Sequence, residues 1–209
     1  MKMRKMSGSR NLRTRMVAEA DFPTRYGKFR ILGFESKGGD ETAVAVVKGH
    51  PGTTPAALVR IHSQCLTGDV FGSRRCDCGW QLQTALKRIG EHGSGILIYH
   101  LQEGRGIGLL NKLLAYELQD NGSDTVEANQ QLGFAADARD YDICVDILKL
   151  LGIRKVRLLS NNPDKISALE KHLISVVERI PLEMKPSKLT KKYLATKKKK
   201  MGHLLSVFR

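Results

Sequence analysis

The stretch that decides the fold runs over residues 57–79 and reads ALVRIHSQCLTGDVFGSRRCDCG. Its first seven residues alternate in character as a half-buried strand does, so we expect a strand that leads directly to Cys65. After ten intervening residues come Cys76 and Cys78. A strand end would give the first of these three cysteines a rigid base, and Asp77 is of the type that caps the start of a helix.

Three closely spaced cysteines indicate a metal site. Three thiolates can hold zinc and leave the fourth tetrahedral position open for water, as catalytic sites do. A structural zinc site would normally have four ligands, and His62 is near enough in the sequence to be the fourth. Free thiols are a third interpretation, and all three remain open at this point. Cys144 lies among apolar residues and is expected to be a buried core thiol.

Around this stretch, strand patterns alternate with helix patterns, which predicts an α/β fold. We expect a layered α/β/α domain with a mixed sheet, preceded by a small β-rich N-terminal portion. Strands are predicted over residues 29–34, 42–48, 57–63, 95–100, 156–159 and 174–177. Helices are predicted from Asp77 to Gly93 and over residues 109–119, 141–151 and 166–169. Residues 1–20 are expected to be disordered or peripheral, and residues 123–140 to form a long loop.

The composition bounds the class of protein. With 209 residues and 41% hydrophobic content, the chain can bury one substantial core. No apolar run approaches the ~20 residues that cross a bilayer, and the cysteine pattern fits a reducing cytoplasm. The formal net charge is +14, but residues 1–15 and 184–209 together supply +15, so residues 16–183 sum to −1. The basic ends are expected to be solvated and to attract nucleic acid only non-specifically.

A glycine-rich turn, residues 102–108 with the sequence QEGRGIG, lies between a predicted strand and a predicted helix. Glycines there allow backbone amides to approach a phosphate, and Arg105 could pair with it through two hydrogen bonds. Glu103 suits a donor-rich base edge or a metal better. The motif is neither G-x-G-x-x-G nor a Walker loop, so a flexible turn is the alternative.

Several motifs in one order carry a resemblance to the GTP cyclohydrolase II family, over about residues 17–205. They are RIHSQCLTGD (60–69), RCDCG (75–79), QEGR (102–105), LLNK (109–112), DTVEAN (124–129), LGF (132–134), DARDY (137–141), NNP (161–163) and KMGHLL (200–205). The bifunctional riboflavin enzymes carry a second domain, so we expect the stand-alone form. The division that follows is a basic flexible leader (1–16), the catalytic domain (17–184) and a Lys-rich C-terminal segment (185–209).

The resemblance implies an enzyme that hydrolyses GTP to formate, pyrophosphate and 2,5-diamino-6-ribosylaminopyrimidinone 5′-phosphate, the first committed step of riboflavin synthesis. It implies one zinc ion per chain on Cys65, Cys76 and Cys78, and a cytoplasmic homodimer. Whether magnesium accompanies the triphosphate stays open.

The resemblance also implies roles for other residues. Asp137 would be a proton acceptor, Arg139 a nucleophile on the α-phosphate, and Tyr116 a participant in ring opening. A guanidinium with a pKa above ~12 is a poor nucleophile, so a charge clamp on the α-phosphate is an equal alternative for Arg139. The residues that would line the GTP pocket are Arg60, Ile61, His62, Ser63, Gln64, Gln81, Glu103, Gly104, Arg105, Thr125, Ser160 and Lys165.

Three positions depart from the family pattern: Gln64 replaces a usual Glu, Leu101 a usual Arg, and Ser160 a usual Thr. The first two each remove a charge near the expected pocket. A rival from another class is a zinc-stabilised nucleic-acid-binding protein that uses the basic ends. A nucleobase deaminase is disfavoured because its H-x-E and P-C-x-x-C signature is missing.

Overall fold

A computed structural model describes residues 12–135 and 137–206, and seven strands in this part of the chain form one sheet. The strands are β1 (Thr14–Thr24), β2 (Gly27–Ser36), β3 (Thr42–Lys48), β4 (Ala57–Ser63), β5 (Gly95–His100), β6 (Lys155–Leu159) and β7 (Ser175–Ile180). Their order across the sheet is β1-β2-β3-β5-β4-β6-β7. The pairs β1–β2, β2–β3 and β3–β5 are antiparallel, whereas β4 is parallel to β5 and β6, and β6 to β7. The predicted mixed sheet is confirmed, and the β-rich N-terminal portion is its antiparallel half.

Helices cover both faces of the sheet. In the described ranges they are α1 (Leu66–Asp69), α2 (Cys78–His92), α3 (Leu109–Asp120), α4 (Thr125–Gln131), α5 (Asp142–Leu150), α6 (Pro163–Lys171) and α7 (Lys191–Met201). On one face, Ile147 of α5 and Leu169 of α6 pack in a cluster with strand residues, and Cys144 is buried there as predicted. On the other face, Ala85 and Ile89 of α2 pack against strand residues. The α/β/α layering is therefore confirmed.

Strand β4 explains how polar side chains come to lie inside the protein. Its side chains alternate between the two faces, so Val59 and Ile61 enter the cluster beneath α5. Arg60 and His62 point to the opposite face and are buried at 5% and 2% exposure. Ser63, the last residue of β4, pairs with the last residue of β5, so loops that follow the two parallel strands start side by side. Ligand sites of open α/β sheets lie outside such carboxyl ends.

Most predicted elements agree with the structure, with four corrections. For residues 1–20 the prediction is a disordered or peripheral segment: the disordered alternative is wrong for residues 14–20, which belong to the mostly exposed edge strand β1, whereas residues 1–11 lie outside the described residues. The predicted loop over residues 123–140 contains α4, and the last strand begins and ends later than predicted. The Lys-rich segment, expected to be a solvated end, forms α7. The division of the chain at residues 17 and 184 stays a prediction; β1 begins before the first boundary and α7 lies beyond the second.

Within the described residues, no helix combines the length and the apolarity that crossing a bilayer requires.

Candidate active site

The three clustered cysteines come together just beyond the end of β4. Their sulfur atoms all lie within 4.8 Å of one another, and the Sγ atoms of Cys65 and Cys76 are 3.7 Å apart. Gly68 makes this approach possible, because a Cβ atom there would lie 2.9 Å from the Cys76 sulfur and 3.2 Å from that of Cys65. Three thiols at this spacing suit a soft, tetrahedral metal ion such as zinc.

His62 does not belong to the sulfur group, so the four-ligand interpretation loses its proposed fourth ligand. Its Nε2 atom lies 3.0 Å from a carboxylate oxygen of Asp69, and its ring stacks on Tyr99 at 5.5 Å between centroids. Burial lowers the pKa of His62. Asp69 also accepts hydrogen bonds from the Cys65 N–H and the Tyr99 hydroxyl. The histidine therefore helps to fix the turn that carries Cys65.

A second group of polar side chains surrounds Cys65. The Lys112 ammonium donates to the Cys65 sulfur at 3.2 Å and to Glu103 at 2.7 Å. Although burial opposes its charge, the hydrogen bond to Glu103 raises the pKa of Lys112. Glu103 also accepts from the backbone N–H groups of Leu66 and Gly104. This carboxylate thus ties the metal loop to the glycine-rich turn.

Tyr116, on α3, lies next to the sulfur group. Its hydroxyl is 3.0 Å from the Thr67 hydroxyl, which in turn is 3.8 Å from the Cys65 sulfur. The Arg75 guanidinium lies over the tyrosine ring at 4.8 Å. Burial raises the pKa of Tyr116, so its hydroxyl keeps its proton at neutral pH.

Buried cations form another part of the site. Arg60 donates to the Leu159 carbonyl at 2.8 Å and to Gln81 at 2.6 Å, and burial lowers its pKa to about 10. Lys165 donates to the Ile61 carbonyl at 2.9 Å, and burial, followed by the charge of Arg60, lowers its pKa well below the usual value. Cations held without a contacting carboxylate favour an anionic ligand.

Arg139 and Asp137 form a tight ion pair. The arginine Nε donates to both carboxylate oxygens at 2.8 and 3.1 Å, Nη2 contacts Oδ2, and Nη1 donates to the Ser63 hydroxyl at 3.2 Å. Although burial opposes the charge, the carboxylate raises the pKa of Arg139. Ser63 is only two residues from Cys65, so this guanidinium and the sulfur group are held from the same strand end.

The glycine-rich turn adopts a strained backbone. Gly104 and Arg105 both have φ of 62°, a left-handed conformation that arginine rarely adopts and that occurs often at functional sites. The Arg105 carbonyl accepts from the Ala138 N–H at 3.1 Å, and a Cβ on Gly106 would lie 3.0 Å from the Ala138 carbonyl oxygen. The turn therefore positions the segment that carries Asp137 and Arg139.

The C-terminal segment contributes a wall that the sequence prediction missed. Tyr193, Lys197 and Met201 of α7, together with His203, line the cavity. Burial, followed by the charge of Lys197, lowers the pKa of His203 to about 3. Only the resemblance of residues 200–205 to the family's late motif pointed to this segment.

One cavity, with an empty volume of about 1080 Å³ including open solvent, brings most of the predicted residues together. Two of them do not line it: Ile61 turns its side chain into the core and offers only its carbonyl to Lys165, and Asp137 reaches the cavity through Arg139. Leu101 is 43% exposed and lies outside the lining, so this departure removes no charge from the cavity. The predicted residues that line it are Arg60, His62, Ser63, Gln64, Cys65, Cys76, Cys78, Gln81, Glu103, Gly104, Arg105, Tyr116, Thr125, Arg139, Ser160 and Lys165.

Further lining residues had no assigned role at the sequence level. Arg75, Lys112, Asn129, Asn161 and Asn162 were quoted only as parts of motifs, and Ile107 only as part of the glycine-rich turn. The others are Ala115 and Gln119 of α3.

Comparison with known proteins finds a matching family profile, similar sequences and a similar solved structure. A sequence profile described as GTP cyclohydrolase II matches residues 14–181. GTP cyclohydrolase-2 of Buchnera aphidicola is 54% identical over 191 residues, which cover 91% of this chain and 98% of the relative. Riboflavin biosynthesis protein RibBA of Chlorobium phaeovibrioides is 54% identical over 190 residues, and the chain spans only 46% of that relative. RibBX of A. baumannii, a two-domain 3,4-dihydroxy-2-butanone 4-phosphate synthase, is a solved structure with a TM-score of 0.51 and 18% identity over 84% of this chain and 42% of its own. That last likeness shows a shared fold alone.

Proposed function

Since the chain belongs to the GTP cyclohydrolase II family and acts as a GTP hydrolase of riboflavin biosynthesis, we propose that the cavity beside the three cysteines performs both cleavages of GTP. The products are formate, pyrophosphate and 2,5-diamino-6-ribosylaminopyrimidinone 5′-phosphate. The observation that carries the proposal is that one cavity is lined both by the three-cysteine group and by buried cations. Purine ring opening and phosphate cleavage need these two kinds of group.

The three cysteines would hold one zinc ion per chain. The donor set fits, because three sulfurs within 4.8 Å of one another leave one tetrahedral position for water or substrate. Zinc bound there would supply Lewis-acid activation of water for attack on the purine ring. Lys112, which donates to the Cys65 sulfur, would stabilise the thiolate form of that ligand.

The triphosphate would occupy the part of the cavity lined by Arg60, Arg105, Arg139 and Lys165. Desolvated cations bind phosphate oxygens strongly, because little water competes for them. An anion beside Lys165 would favour the charged form of this lysine and so offset the burial that lowers its pKa.

We propose that Arg139 is a charge clamp rather than a nucleophile. A nucleophilic guanidine would have to lose its proton, and the ion pair with Asp137 raises the pKa of Arg139. Asp137 would hold the guanidinium in a fixed plane, because both of its oxygens accept from Arg139 and its side chain does not line the cavity. The hydrogen bond from Arg139 to Ser63 would hold this ion pair at a fixed position relative to the sulfur group.

Tyr116 would act on the guanine end, and Glu103 would hold the groups beside it in place. The tyrosine hydroxyl, which stays protonated and lies beside Thr67 near the sulfur group, would donate a proton to the opening ring. Glu103 would orient the turn and the Lys112 ammonium, because its two oxygens already accept from three protein donors. Gln64, Gln81, Thr125 and Ser160 would complete the pocket.

Three further properties belong to the proposal. An exposed apolar face on α3, with Leu110 at 76% exposure and Leu113 and Leu114 beside it, supports a homodimer. All cysteines in the described ranges are free, which supports a reducing cytoplasm. Magnesium would arrive with the triphosphate, since the sulfur group is the one metal-type cluster in the described ranges. The molar mass in solution, expected at twice 23.3 kDa, tests the homodimer.

The decisive experiment measures both products from each of two variants incubated with GTP. Cys76→Ser is expected to lose zinc and formate release while pyrophosphate release stays measurable. Arg139→Ala is expected to lose pyrophosphate release by about 100-fold or more, the usual cost of removing a preorganised donor.

Matched controls separate chemistry from folding. Cys144→Ser removes a buried thiol outside the sulfur group and should keep zinc. Arg157→Ala breaks an ion pair with Glu178, and because neither residue lines the cavity the variant should keep both products. Circular dichroism checks that each variant is folded. Pyrophosphate release at the normal rate from a folded Arg139→Ala would contradict the clamp, and formate release from a zinc-free Cys76→Ser would contradict the metal's role.

A further inference from the structure

We propose that Lys197 of α7 is a positioning residue for the three-cysteine metal site and that it acts through Asp77. This inference rests on the zinc site proposed above. It assigns a function to a helix that looked like a solvated basic end in the sequence.

Asp77 is the link because of where it stands and what it bonds. It lies between Cys76 and Cys78, and its side chain is only 2% exposed. It occupies the N-cap position of α2, yet its side chain makes no capping hydrogen bond. Instead one carboxylate oxygen accepts from the Lys197 ammonium at 3.0 Å and the other from Gln81 at 2.6 Å. The carboxylate therefore bonds to a lysine 120 residues away in the sequence instead of capping its own helix.

The hydrogen bonds continue from Asp77 into the sheet. Gln81 accepts from the Arg60 guanidinium at 2.6 Å, and Arg60 donates to the Leu159 carbonyl at 2.8 Å. A continuous chain of side chains therefore joins α7, the metal loop, α2 and β4. Polar networks of this kind restrict the geometry of the residues at their nodes, and each link of this one is a hydrogen bond of 3.0 Å or less, although the Arg60 Nε is buried without a partner.

Lys197 also balances charge at the loop. Two thiolates flank Asp77 when a metal is bound, and within the described residues Lys197 is the cation that contacts its carboxylate. Three thiolates outweigh the charge of one Zn²⁺, so the loaded site stays net negative; without the lysine cation a buried carboxylate would stand beside it, and the loop would relieve the repulsion by moving outward. Metal ligands carried on a displaced loop release their metal faster.

The helix is docked by contacts that do not involve the Lys197 side chain. Lys200 pairs with Asp124 and Glu127 at the start of α4, and the Leu204 N–H donates to the Asn161 carbonyl at 2.8 Å. Substitution of Lys197 therefore tests the link to Asp77 separately from the docking of α7.

The experiment measures the rate at which zinc passes from the loaded full-length protein to a chromogenic chelator. Lys197→Met is expected to release zinc about tenfold faster than the unmodified protein, in line with losses seen when residues behind metal ligands are replaced. Lys199→Met removes an exposed lysine from the same helix and is expected to leave the rate unchanged. Equal rates for the Lys197→Met and Lys199→Met variants would overturn the proposal.

A double variant tests the charge argument. Adding Asp77→Asn to Lys197→Met removes the unbalanced carboxylate while keeping an oxygen for Gln81, so zinc release is expected to slow by at least about threefold relative to Lys197→Met alone. A merely structural role for Lys197 would give no such recovery. If Lys197→Met alone does not fold, a folded, zinc-holding double variant supports the proposal and a double variant without zinc overturns it. An unmodified protein that holds no zinc would instead refute the proposed function.

Discussion

The two ends of the chain look alike in the sequence and differ in the structure. Residues 1–15 and 184–209 are both basic and contain no acid. At the N-terminal end, β1 forms the outer strand of the sheet and leaves most of its side chains exposed. At the C-terminal end, α7 covers the cavity, and two of its lysines pair with Asp77, Asp124 and Glu127. Two segments of similar composition therefore differ in structure: the N-terminal one leads into a solvated edge strand, and the C-terminal one forms a wall of the candidate active site.

The difference shows what charge composition leaves out. A lysine side chain is solvated or structural according to whether an acidic side chain lies next to it in the folded protein. The acid that pairs with Lys200, Glu127, lies 73 residues earlier in the chain, and the acid that pairs with Lys197, Asp77, lies 120 residues earlier. A buried pair such as Lys197–Asp77 costs desolvation and specifies geometry, whereas exposed pairs contribute little. Because Lys197 and Lys200 are paired with acids, fewer lysines are left for the alternative in which the basic ends bind nucleic acid.

The largest effect is expected from removing residues 191–209. This deletion takes away Tyr193, Lys197, Met201 and His203 from the cavity wall and the partner of Asp77. Formate release is expected to fall about 100-fold or more, because reacting groups that are misplaced by about 1 Å already lose that much. Turnover of GTP by the shortened and full-length chains, with circular dichroism of both, provides the check. Near-normal turnover would make the C-terminal end equivalent to the N-terminal one.

A smaller effect is expected from His203, whose burial exists only because the C-terminal segment is folded onto the cavity. The pKa of this histidine is lowered to about 3, first by burial and then by the nearby charges of Lys197, Arg139 and Lys165. Between pH 6.5 and pH 3 the unfolded chain therefore binds the extra proton, and stability falls as the pH falls below 6.5.

The His203→Gln variant removes this contribution. From pH 6.5 to pH 5, the free energy of unfolding of the unmodified protein should drop by about 1–2 kcal/mol more than that of His203→Gln, given a slope of at most ~1.4 kcal/mol per pH unit for one proton. Urea unfolding of both proteins at the two pH values measures the difference. Parallel losses would mean that His203 is accessible to water and that the segment does not seal the cavity.

Local patterns were sufficient for much of the fold. The strand over residues 57–63 and the helix that ends at Gly93 follow directly from apolar periodicity and from a glycine in the left-handed conformation. Helix α4 was missed because its residues show no apolar period. Its start carried a usable signal, since Asp124 and Glu127 form a capping box.

Local sequence patterns likewise predicted one part of the candidate site and missed another. The sulfur group was predictable because its three members lie within fourteen residues of sequence, 65–78, on one strand end and one helix start. The wall formed by α7 was not, because nothing local to residues 191–201 indicates which acids they meet. Asp77 occupies the predicted N-cap position of α2. Its carboxylate does not cap the helix, because it accepts hydrogen bonds from Lys197 and Gln81 instead. The roles of the individual site residues stay predictions.

The smallest effect is expected at the N-terminal end. Two deletions, one before β1 and one that removes its first residues, separate the contribution of the leader from that of the strand. Removing residues 1–11 leaves β1 complete, so turnover and zinc content should stay within about twofold of the full chain, as is usual for changes away from named stabilising features. Removing residues 1–15 also takes Thr14, which is buried, and the contact of Arg13 N–H with Asp146 on α5. That second deletion should lower the melting temperature by a few degrees, since about 1 kcal/mol corresponds to roughly 2–4 °C in a chain of this size. Thermal unfolding and GTP turnover of both shortened chains measure the two effects. A loss of turnover on removing residues 1–11 alone would mean that the N-terminal end, like α7, reaches the cavity.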